Sequence, residues 1–364
     1  MNSDILISSN SKAPADKVKR YTVMCGDIPV LEFNRQTDEV IVFDRGHLPF
    51  GLRGNGKISA VSAFEWLSER INNLSRTYMN VVYIARKVGR DKDKVIKDSS
   101  GISFTDNFWI KTRDSIADWD ELKRLRDRNT ALNNVALTGE ISDDGDILKG
   151  FTSLFTTKGY FPKAVFGGYI YKLKKDAILE YPAYLIGRQI GVDVAECTLQ
   201  GEYVKIKIFT DDETSLVHAS ELKTYFDTSD EIYNIFVKDD KYKEITVGLQ
   251  RMYIFNYLIA NPDLHDDNYG LLYNSETFEF ISVSPCFDHN VAFQEGFLGL
   301  ARTTLGNSAS LPLDEICERF IWKHKDIAEK LKTIDLSEIG KYLSERQIAE
   351  LKERIANVIM WADI

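Results

Sequence analysis

The stretch that decides the fold of this chain reads Asn261-Pro262-Asp263-Leu264-His265-Asp266-Asp267-Asn268-Tyr269-Gly270. An apolar helix, predicted over Val247–Ala260, ends before the proline, and a strand predicted over Tyr269–Tyr273 follows. Catalytic groups collect on loops that rigid elements hold in place. This polar loop is therefore the first candidate site.

The strand after the loop is predicted to be half of a hairpin. The turn Asn274-Ser275-Glu276-Thr277 leads into a second strand, Phe278–Val283. A turn centred in the middle of those four residues places Asn268 opposite Val283. Asp288 follows five residues later, within about 17 Å of that end even if the chain is extended. The hairpin therefore brings three oxygen-bearing side chains to one end.

Those three side chains are Asp263, Asn268 and Asp288. Magnesium prefers hard oxygen ligands, usually one or two carboxylates with phosphate oxygens and water. A further carboxylate can orient an attacking hydroxyl and accept its proton. The set therefore has the parts that a phosphoryl transferase needs, although each residue taken singly also fits an ordinary turn.

The other polar residues of the loop have simpler interpretations. We expect His265 to brace the loop rather than act as the catalytic base. We expect Asp266 and Asp267 to face solvent, with a contact to the metal as the alternative.

The order Asp263-x-His265-x-x-Asn268, followed by a hairpin and by Asp288 shortly after Pro285, resembles the motifs of the HipA-like serine/threonine protein kinases. The resemblance implies Asp263 as the catalytic base, with His265 beside it in the catalytic loop. It implies Asn268 and Asp288 as Mg²⁺ ligands and ATP as the phosphoryl donor. It also implies an α+β, two-lobed protein-kinase-like fold, with a strand-rich nucleotide lobe and a helical C-terminal lobe.

Two upstream segments extend the resemblance. The stretch Gly159-Tyr160-Phe161-Pro162-Lys163-Ala164 is similar to the family's Gly-Ala-Gln-Pro-Lys-Ala phosphate loop, which implies nucleotide contacts for Gly159 and Lys163. Lys172 matches the family's nucleotide-binding lysine, and Glu180 matches the helix glutamate that pairs with it. In isolation, the glycine fits a common turn and the lysine fits an exposed strand position.

Thr156 is a candidate autophosphorylation site. It stands where a serine just before the phosphate loop is autophosphorylated in the protein that gives the family its name. There the modification ejects the loop and inactivates the kinase.

Composition excludes several classes of protein. The chain has 364 residues and carries 46 Lys and Arg against 55 Asp and Glu, a net charge of −9, which argues against direct nucleic-acid binding by bulk electrostatics. The four cysteines are scattered, and we expect free thiols in a reducing cytoplasm. No apolar run approaches the roughly 20 residues that span a bilayer. We therefore expect a cytoplasmic protein with no membrane contact.

We predict three parts along the chain: an extra N-terminal α+β module of unknown role over 1–140, the nucleotide-binding lobe over 141–245 and the helical catalytic lobe over 246–364. Within the first part, a hairpin is predicted from Ile28–Phe33 and Glu39–Phe43, followed by a helix with Ser62 and Glu65 in a capping box. The apolar face of that helix is predicted to contain Val61, Phe64, Leu67 and Ile71.

Two later helices also have end signals in the sequence. One is predicted near Pro182 to Ile190 and is ended by Gly191, and a C-terminal helix is predicted with Ser344 and Gln347 in its capping box.

The acceptor of the phosphoryl group stays open at this point, because the motif contacts only ATP and the attacking oxygen. It is a Ser/Thr of an unidentified protein or, alternatively, a small molecule or lipid. A third interpretation is a nucleotide-binding regulatory module with little catalysis. The resemblance also implies a toxin–antitoxin role and a helix-turn-helix antitoxin as partner.

Overall fold

The computed structural model describes residues 20–54, 56–70, 92–112, 118–125, 162–296, 302–304 and 310–363. Gly159 and Thr156, two of the candidate site residues, lie outside these ranges. None of the helices in the described ranges combines the length and apolar content needed to cross a bilayer. The four cysteines are free and buried, so the prediction of free thiols is confirmed.

The N-terminal part contains an antiparallel four-stranded sheet with helices beside it. Its strands run in the order β3-β2-β1-β4, and the predicted hairpin is confirmed as β2 and β3. The elements are β1 (Arg20–Cys25), β2 (Ile28–Asn34), β3 (Glu39–Val42), α1 (Phe50–Arg53), α2 (Ala60–Glu69), α3 (Lys92–Ser99), β4 (Phe108–Lys111) and α4 (Trp119–Leu125).

The predicted start of α2 was wrong, and its predicted apolar face was right only in part: Leu67 is fully buried and Phe64 packs against the core, whereas Val61 does not, and Ile71 lies outside the described residues. Ser59, in an extended conformation, caps the helix by accepting a hydrogen bond from the amide of Ser62, whose side chain in turn accepts from the amide of Ser59. The helix therefore starts three residues before the predicted cap, and Glu65 takes no part in it. Val61 is 62% exposed, whereas Ala63 and Trp66 are buried.

The middle part is a second antiparallel sheet, ordered β5-β6-β8-β7, with one long helix. Gly167 and Gly168, at φ 56° and 76°, form the tight β5–β6 turn, a conformation that glycine adopts without strain. The elements are β5 (Ala164–Phe166), β6 (Tyr169–Leu173), α5 (Lys174–Ala177), α6 (Glu180–Ile190), β7 (Cys197–Gln200) and β8 (Tyr203–Lys207). Helix α6 ends at Gly191 in the left-handed region, as predicted.

The last part is mostly helical around a three-stranded sheet ordered β11-β10-β9. The predicted helix over 247–260 is α9, and Ser344 and Gln347 form the predicted capping box of α12. The elements are β9 (Thr214–His218), α7 (Ala219–Tyr225), α8 (Ile232–Phe236), α9 (Lys243–Leu258), β10 (Gly270–Asn274), β11 (Phe280–Val283), β12 (Arg302–Thr304), β13 (Ser310–Pro312), α10 (Leu313–Ile321), α11 (Lys325–Leu331) and α12 (Glu345–Ala362).

The predicted β10–β11 hairpin exists, but its predicted register was wrong. Val283 pairs with Leu271, not with Asn268. The turn is longer than predicted because the side chain of Asn274 accepts from the amides of Glu276 and Thr277, and Phe278 adopts φ 60°. Strand β10 therefore begins only at Gly270, and Asn268 stays in the loop before it.

One hydrophobic core joins the N-terminal elements to the helical part. It contains residues from Tyr21 in β1 to Ala362 in α12, and α9 crosses its centre. Phe50 of α1 is in ring contact with Tyr273, Phe278 and Phe280 of the hairpin. The N-terminal elements are thus packed against the strands that flank the candidate loop.

Candidate active site

Buried side-chain amides at the end of α9 hold the loop from Asn261 to Asn268 in place. Asn256 donates from Nδ2 to the carbonyl of Met252 and accepts from Asn261 Nδ2 at 2.8 Å. Asn261 in turn accepts from the amide of Asp263 at 3.1 Å. Both asparagines are fully buried, so satisfying their polar groups fixes the loop conformation.

Asp263 and Asn268 are in direct contact across this loop. Asn268 Nδ2 donates to the backbone oxygen of Asp263 at 2.8 Å and to its Oδ2 at 3.1 Å. The side chain of Asp263 is half exposed, whereas Asn268 is close to buried. Because Asn268 uses its nitrogen for both bonds, its amide oxygen remains as a ligand atom for a cation.

Asp288 is placed by a segment that is hydrogen bonded to the chain after α6. Cys286 donates its amide to the carbonyl of Asp193 and accepts from the amide of Ala195, both at 2.9 Å. Two residues later, Asp288 has φ 63°, in the left-handed region, which Asp tolerates better than most residues. This turn directs its carboxylate at Lys172.

Lys172 is the centre of a buried ion cluster. Its Nζ donates to Glu180 Oε1 at 2.5 Å and to Asp288 Oδ1 at 2.6 Å, and only 3% of the residue is exposed. Glu180, at the first position of α6, is itself 4% exposed. Lys172 is therefore not the exposed strand lysine of the simpler interpretation, and Glu180 is its partner.

The charges in this cluster stabilise one another. Burial alone would lower the pKa of Lys172, but attraction by Asp288 and Glu180 outweighs it and holds the pKa above its usual value. Burial would raise the pKa of Asp288, but Lys172 and Lys163 hold it well below its usual range. Lys172 and Asp288 are therefore both charged at neutral pH.

His289 completes the cluster and was missed from the sequence. It is 2% exposed, its Nδ1 lies 3.9 Å from Glu180 Oε2, and its ring meets Phe255 edge to face. Burial lowers its pKa, although Glu180 and Asp288 oppose the shift. No spacing rule points to this histidine, since it matters only once α6 and α9 are packed beside it.

A cleft contains most of the candidate site. Lys163, Lys172, Asn268 and Asp288 all line it, together with Asp267, which was expected mainly to face solvent. Its apolar lining consists of Phe104, Ile170, Ile206, Ile208, Phe209, Leu216 and Phe287. Apolar walls with a few converging polar groups are typical of small-ligand sites.

Asp263 lies at the border of this cleft. Through its contact with Asn268 it adjoins the cleft, and it also lines a neighbouring open groove with Pro262, residues 291–295 and Gln347. The carboxylate is thus accessible from outside the cleft. This is the position that a group binding an external hydroxyl needs.

His265, Asp266 and Asp267 have separate roles in the loop. His265 Nδ1 accepts from the amide of Asp267 at 3.2 Å, and its Nε2 lies 3.6 Å from Asp263 Oδ1. Asp266 is not simply solvated as predicted, because Lys223 Nζ lies 2.7 Å from its Oδ2. Asp267 accepts from Ser220 Oγ at 2.6 Å, so it too has a protein partner.

The donor set fits magnesium better than zinc. Among the described residues no three His, Cys, Asp or Glu side chains are grouped as a metal site. Asn268 and Asp288 offer one amide oxygen and one carboxylate in the same cleft. Magnesium is commonly bound by one or two such oxygens and completes its shell with phosphate oxygens and water.

No family model and no curated protein matches the sequence. Among solved structures, the chain is similar to HipA of Shewanella oneidensis MR-1 in a toxin–antitoxin complex of HipA, HipB and operator DNA. The identity is 11%, the match covers 94% of this chain and 96% of HipA, and the TM-score is 0.54. It also matches the Helicobacter pylori proinflammatory kinase CtkA at 19% identity, over 54% of this chain and 90% of CtkA, with a TM-score of 0.40.

The likeness to HipA extends over nearly the whole chain, the N-terminal elements included. At 11% identity it concerns the backbone arrangement and not the activity. The predicted fold class is confirmed: this chain has the α+β, protein-kinase-like fold of HipA.

Proposed function

We propose that this chain transfers the γ-phosphoryl group of ATP, with Mg²⁺, to a Ser or Thr hydroxyl of a protein. The observation that carries the proposal is the buried Lys172 ammonium, which is bonded to Glu180 and Asp288 in a cleft that also contains Asn268. These bonds fix the ammonium in the cleft, and the bond to Asp288 places the proposed phosphate-binding lysine beside a proposed metal ligand. The HipA fold supports the same reaction class.

On this proposal Lys172 and Lys163 bind the phosphates, and Glu180 holds Lys172 in place. Gly159, outside the described residues, contributes backbone amides to the same phosphates by the resemblance. Asn268 and Asp288 hold the magnesium, which when bound supplies charge neutralisation at the transferred group. These residues position charge before the reaction starts, which is the main source of catalysis in phosphoryl transfer.

Asp263 orients the acceptor hydroxyl and accepts its proton. Its half-exposed carboxylate at the border between cleft and groove supports this role, since an acceptor approaches from outside. His265 braces the loop through the amide of Asp267 and lies beside Asp263 without replacing it as the base.

The partner is proposed on the fold alone. The HipA structure with the same fold is a complex with HipB and operator DNA. We propose that this chain also associates with a small helix-turn-helix antitoxin, and that Thr156 is its autophosphorylation site. Co-purification of the product of a neighbouring gene, and a phosphate mapped to Thr156 by mass spectrometry, test these two proposals.

The test of the activity is incubation with γ-labelled ATP and Mg²⁺, followed by mass spectrometry of labelled residues. We expect Asp263→Ala and Asp288→Asn each to lower transfer by at least about 100-fold, in the range seen when a general base or charge-stabilising group is removed. Asp326→Asn is the matched control, because Asp326 pairs with Arg251 at the surface.

Full transfer by either variant would reject the assigned roles. Label on a metabolite or lipid instead of a protein would reject the acceptor class while keeping the reaction. Stabilisation by ATP and Mg²⁺ without any turnover would favour a regulatory module.

A further inference from the structure

The loop from Gly101 to Phe108 belongs to the N-terminal module but is bonded to the walls of the cleft. The carbonyl of Thr105 accepts from the amide of Leu216 at 2.7 Å. Thr210 donates its hydroxyl to the carbonyl of Phe104, and Asn107 Nδ2 donates to the carbonyl of Asp212 at 2.9 Å. Two backbone carbonyls and one side-chain amide, from Phe104, Thr105 and Asn107, thus fix the loop against β9 and the segment that precedes it.

This loop lies at the end of the cleft remote from Lys172. In the β6–β8 ladder Lys172 faces Val204, and Ile208 is four residues further along, about 13 Å away. Ile208 and Thr210 line the cleft together with Ser103, Phe104, Thr105 and Asp106. If the phosphates lie at Lys172, the base of the nucleotide lies beside these residues.

The loop presents a short chain of hydroxyl groups. Ser103 Oγ and Thr105 Oγ1 are 2.7 Å apart, and Thr105 Oγ1 lies 3.3 Å from Asp106 Oδ2. Thr105 Oγ1 donates to Asp106, which leaves Ser103 Oγ as the donor to Thr105 Oγ1, so each hydroxyl oxygen keeps one lone pair that can accept from an amino group of a purine. The apolar neighbours Ile208 and Leu216 supply flat contacts for the ring faces.

Arg70 holds this loop in shape. It donates from Nε to the carbonyl of Gly101, from both terminal nitrogens to the carboxylate of Asp106 at 2.7 Å, and to the carbonyl of Phe108. Its guanidinium also lies 4.8 Å from the Trp66 ring centroid. A bidentate pair with further bonds is rigid, because the planar fork fits the carboxylate in one orientation.

We propose that the N-terminal module completes the nucleotide site: the Ser103 and Thr105 hydroxyls hydrogen bond the purine base, and Arg70 is the positioning residue that holds them there. The inference rests on the proposed function and goes beyond it. It gives the first 125 residues a role in the choice of nucleotide.

The experiment measures binding of Mg²⁺–ATP and Mg²⁺–GTP to the full chain by calorimetry. The double variant Ser103→Ala/Thr105→Val removes both hydroxyls with little change of shape. We expect its affinity for ATP to fall about 5-fold or more and the ATP-to-GTP preference to change, since each lost hydrogen bond weakens binding several-fold. In turnover assays the KM for ATP rises while kcat stays within about 2-fold.

Arg70→Met is expected to weaken ATP binding at least as much as Ser103→Ala/Thr105→Val does. Its matched control is Arg35→Met, in the same module. Arg35 also pairs with an aspartate, Asp93, and lies over the Phe64 ring, yet it does not line the cleft. Arg35→Met is expected to bind both nucleotides like the unaltered chain.

The outcomes separate this inference from the proposed function. An unaltered ATP affinity and an unaltered ATP-to-GTP preference in the Ser103→Ala/Thr105→Val variant overturn the inference. Absence of binding by the unaltered chain rejects the proposed function itself. If Arg70→Met fails to fold by circular dichroism, the hydroxyl variant alone decides, because it retains the Arg70–Asp106 pair.

Discussion

Gly270 sits where β10 passes closest to β9, two residues after Asn268. A Cβ atom there would lie 2.1 Å from the carbonyl oxygen of Val217, which is backbone and cannot rotate away. We expect Gly270→Ala to lower the free energy of unfolding by about 1–3 kcal/mol or more. Phosphoryl transfer should fall with it, because the strand that follows the Asn268 loop must shift.

Chemical denaturation and the labelled-ATP assay measure both effects. Gly56→Ala is the control, since a Cβ at Gly56 meets no atom within 4 Å. Equal stability of the two variants would contradict the close approach of β9 and β10.

His324 makes stability depend on pH. Its Nε2 lies 2.9 Å from Gln250 Oε1 in a buried position, and burial, with Arg251 nearby, lowers its pKa from 6.5 to about 4. Between these two pKa values, His324 is therefore protonated in the unfolded chain and neutral in the folded chain. This contribution to stability is complete above about pH 6.5 and is lost as the pH falls towards 4.

We expect the melting temperature to drop less in His324→Gln than in the unaltered chain between about pH 7.5 and pH 5. Part of the drop remains, because burial also lowers the pKa of His289. An identical drop in both proteins would show that His324 does not titrate in this way.

At the scale of elements, helix α7 braces the catalytic loop through one lysine. Lys223 Nζ lies 2.7 Å from Asp266 Oδ2 and 3.2 Å from Glu231 Oε1, and Tyr269 donates its hydroxyl to Glu231 at 2.7 Å. The network ties α7 and the start of α8 to both sides of Asp267 and Asn268. Glu231 is nearly buried, so it needs the cation.

We expect Lys223→Met to lower kcat about 10-fold with little change in the KM for ATP. The catalytic loop loses its orientation, while the contacts to the purine base and the phosphates of ATP remain. The free energy of unfolding should fall by about 1–3 kcal/mol, because buried Glu231 loses its bond to the Lys223 cation. Lys332→Met, which breaks a surface pair with Glu329, is the control and should change neither. An unchanged kcat in Lys223→Met would contradict the role of Lys223 in holding the catalytic loop.

The elements that the sequence predicted well have local signals. Gly191 ends α6 and Ser344 starts α12, so both boundaries follow from a few adjacent residues. The hairpin register was missed because it depends on the Asn274 side chain and on the positive φ of Phe278. Strand β9, which completes that sheet, comes from about 50 residues earlier, and no local pattern assigns its partner.

The residues of the candidate site also divide into those with a signal in the local sequence and those without one. Asp263, Asn268, Lys172 and Asp288 come from motifs with fixed order, and the fold brings them together. Asp267, His289 and the Ser103–Thr105 wall have no motif, because their place in the site comes from packing between distant segments. The domain boundaries at 140 and 245 and the roles of the site residues stay predictions.

At the scale of the whole molecule, the shared core predicts cooperative unfolding. Phe50 is 3% exposed and packs against the rings of the hairpin. We expect Phe50→Ala to lower the free energy of unfolding by about 3–5 kcal/mol. The melting temperature of the whole chain should fall with it, in one calorimetric transition. Phe43→Ala, at a position 52% exposed, is the control and should change stability by less than about 0.5 kcal/mol.

Two separated transitions, with only the first moved by Phe50→Ala, would show instead that the N-terminal elements unfold on their own.

The same aromatic contacts set the order of events during synthesis. Phe50 is translated roughly 220 residues before Tyr273 and Phe278, a wait of about 11–45 s at common ribosome speeds. Throughout that interval the apolar face of the nascent N-terminal elements, which the hairpin covers in the folded chain, stays exposed. Holdase chaperones and proteases therefore compete for this nascent segment, and a pause in translation before the hairpin would lengthen its exposure.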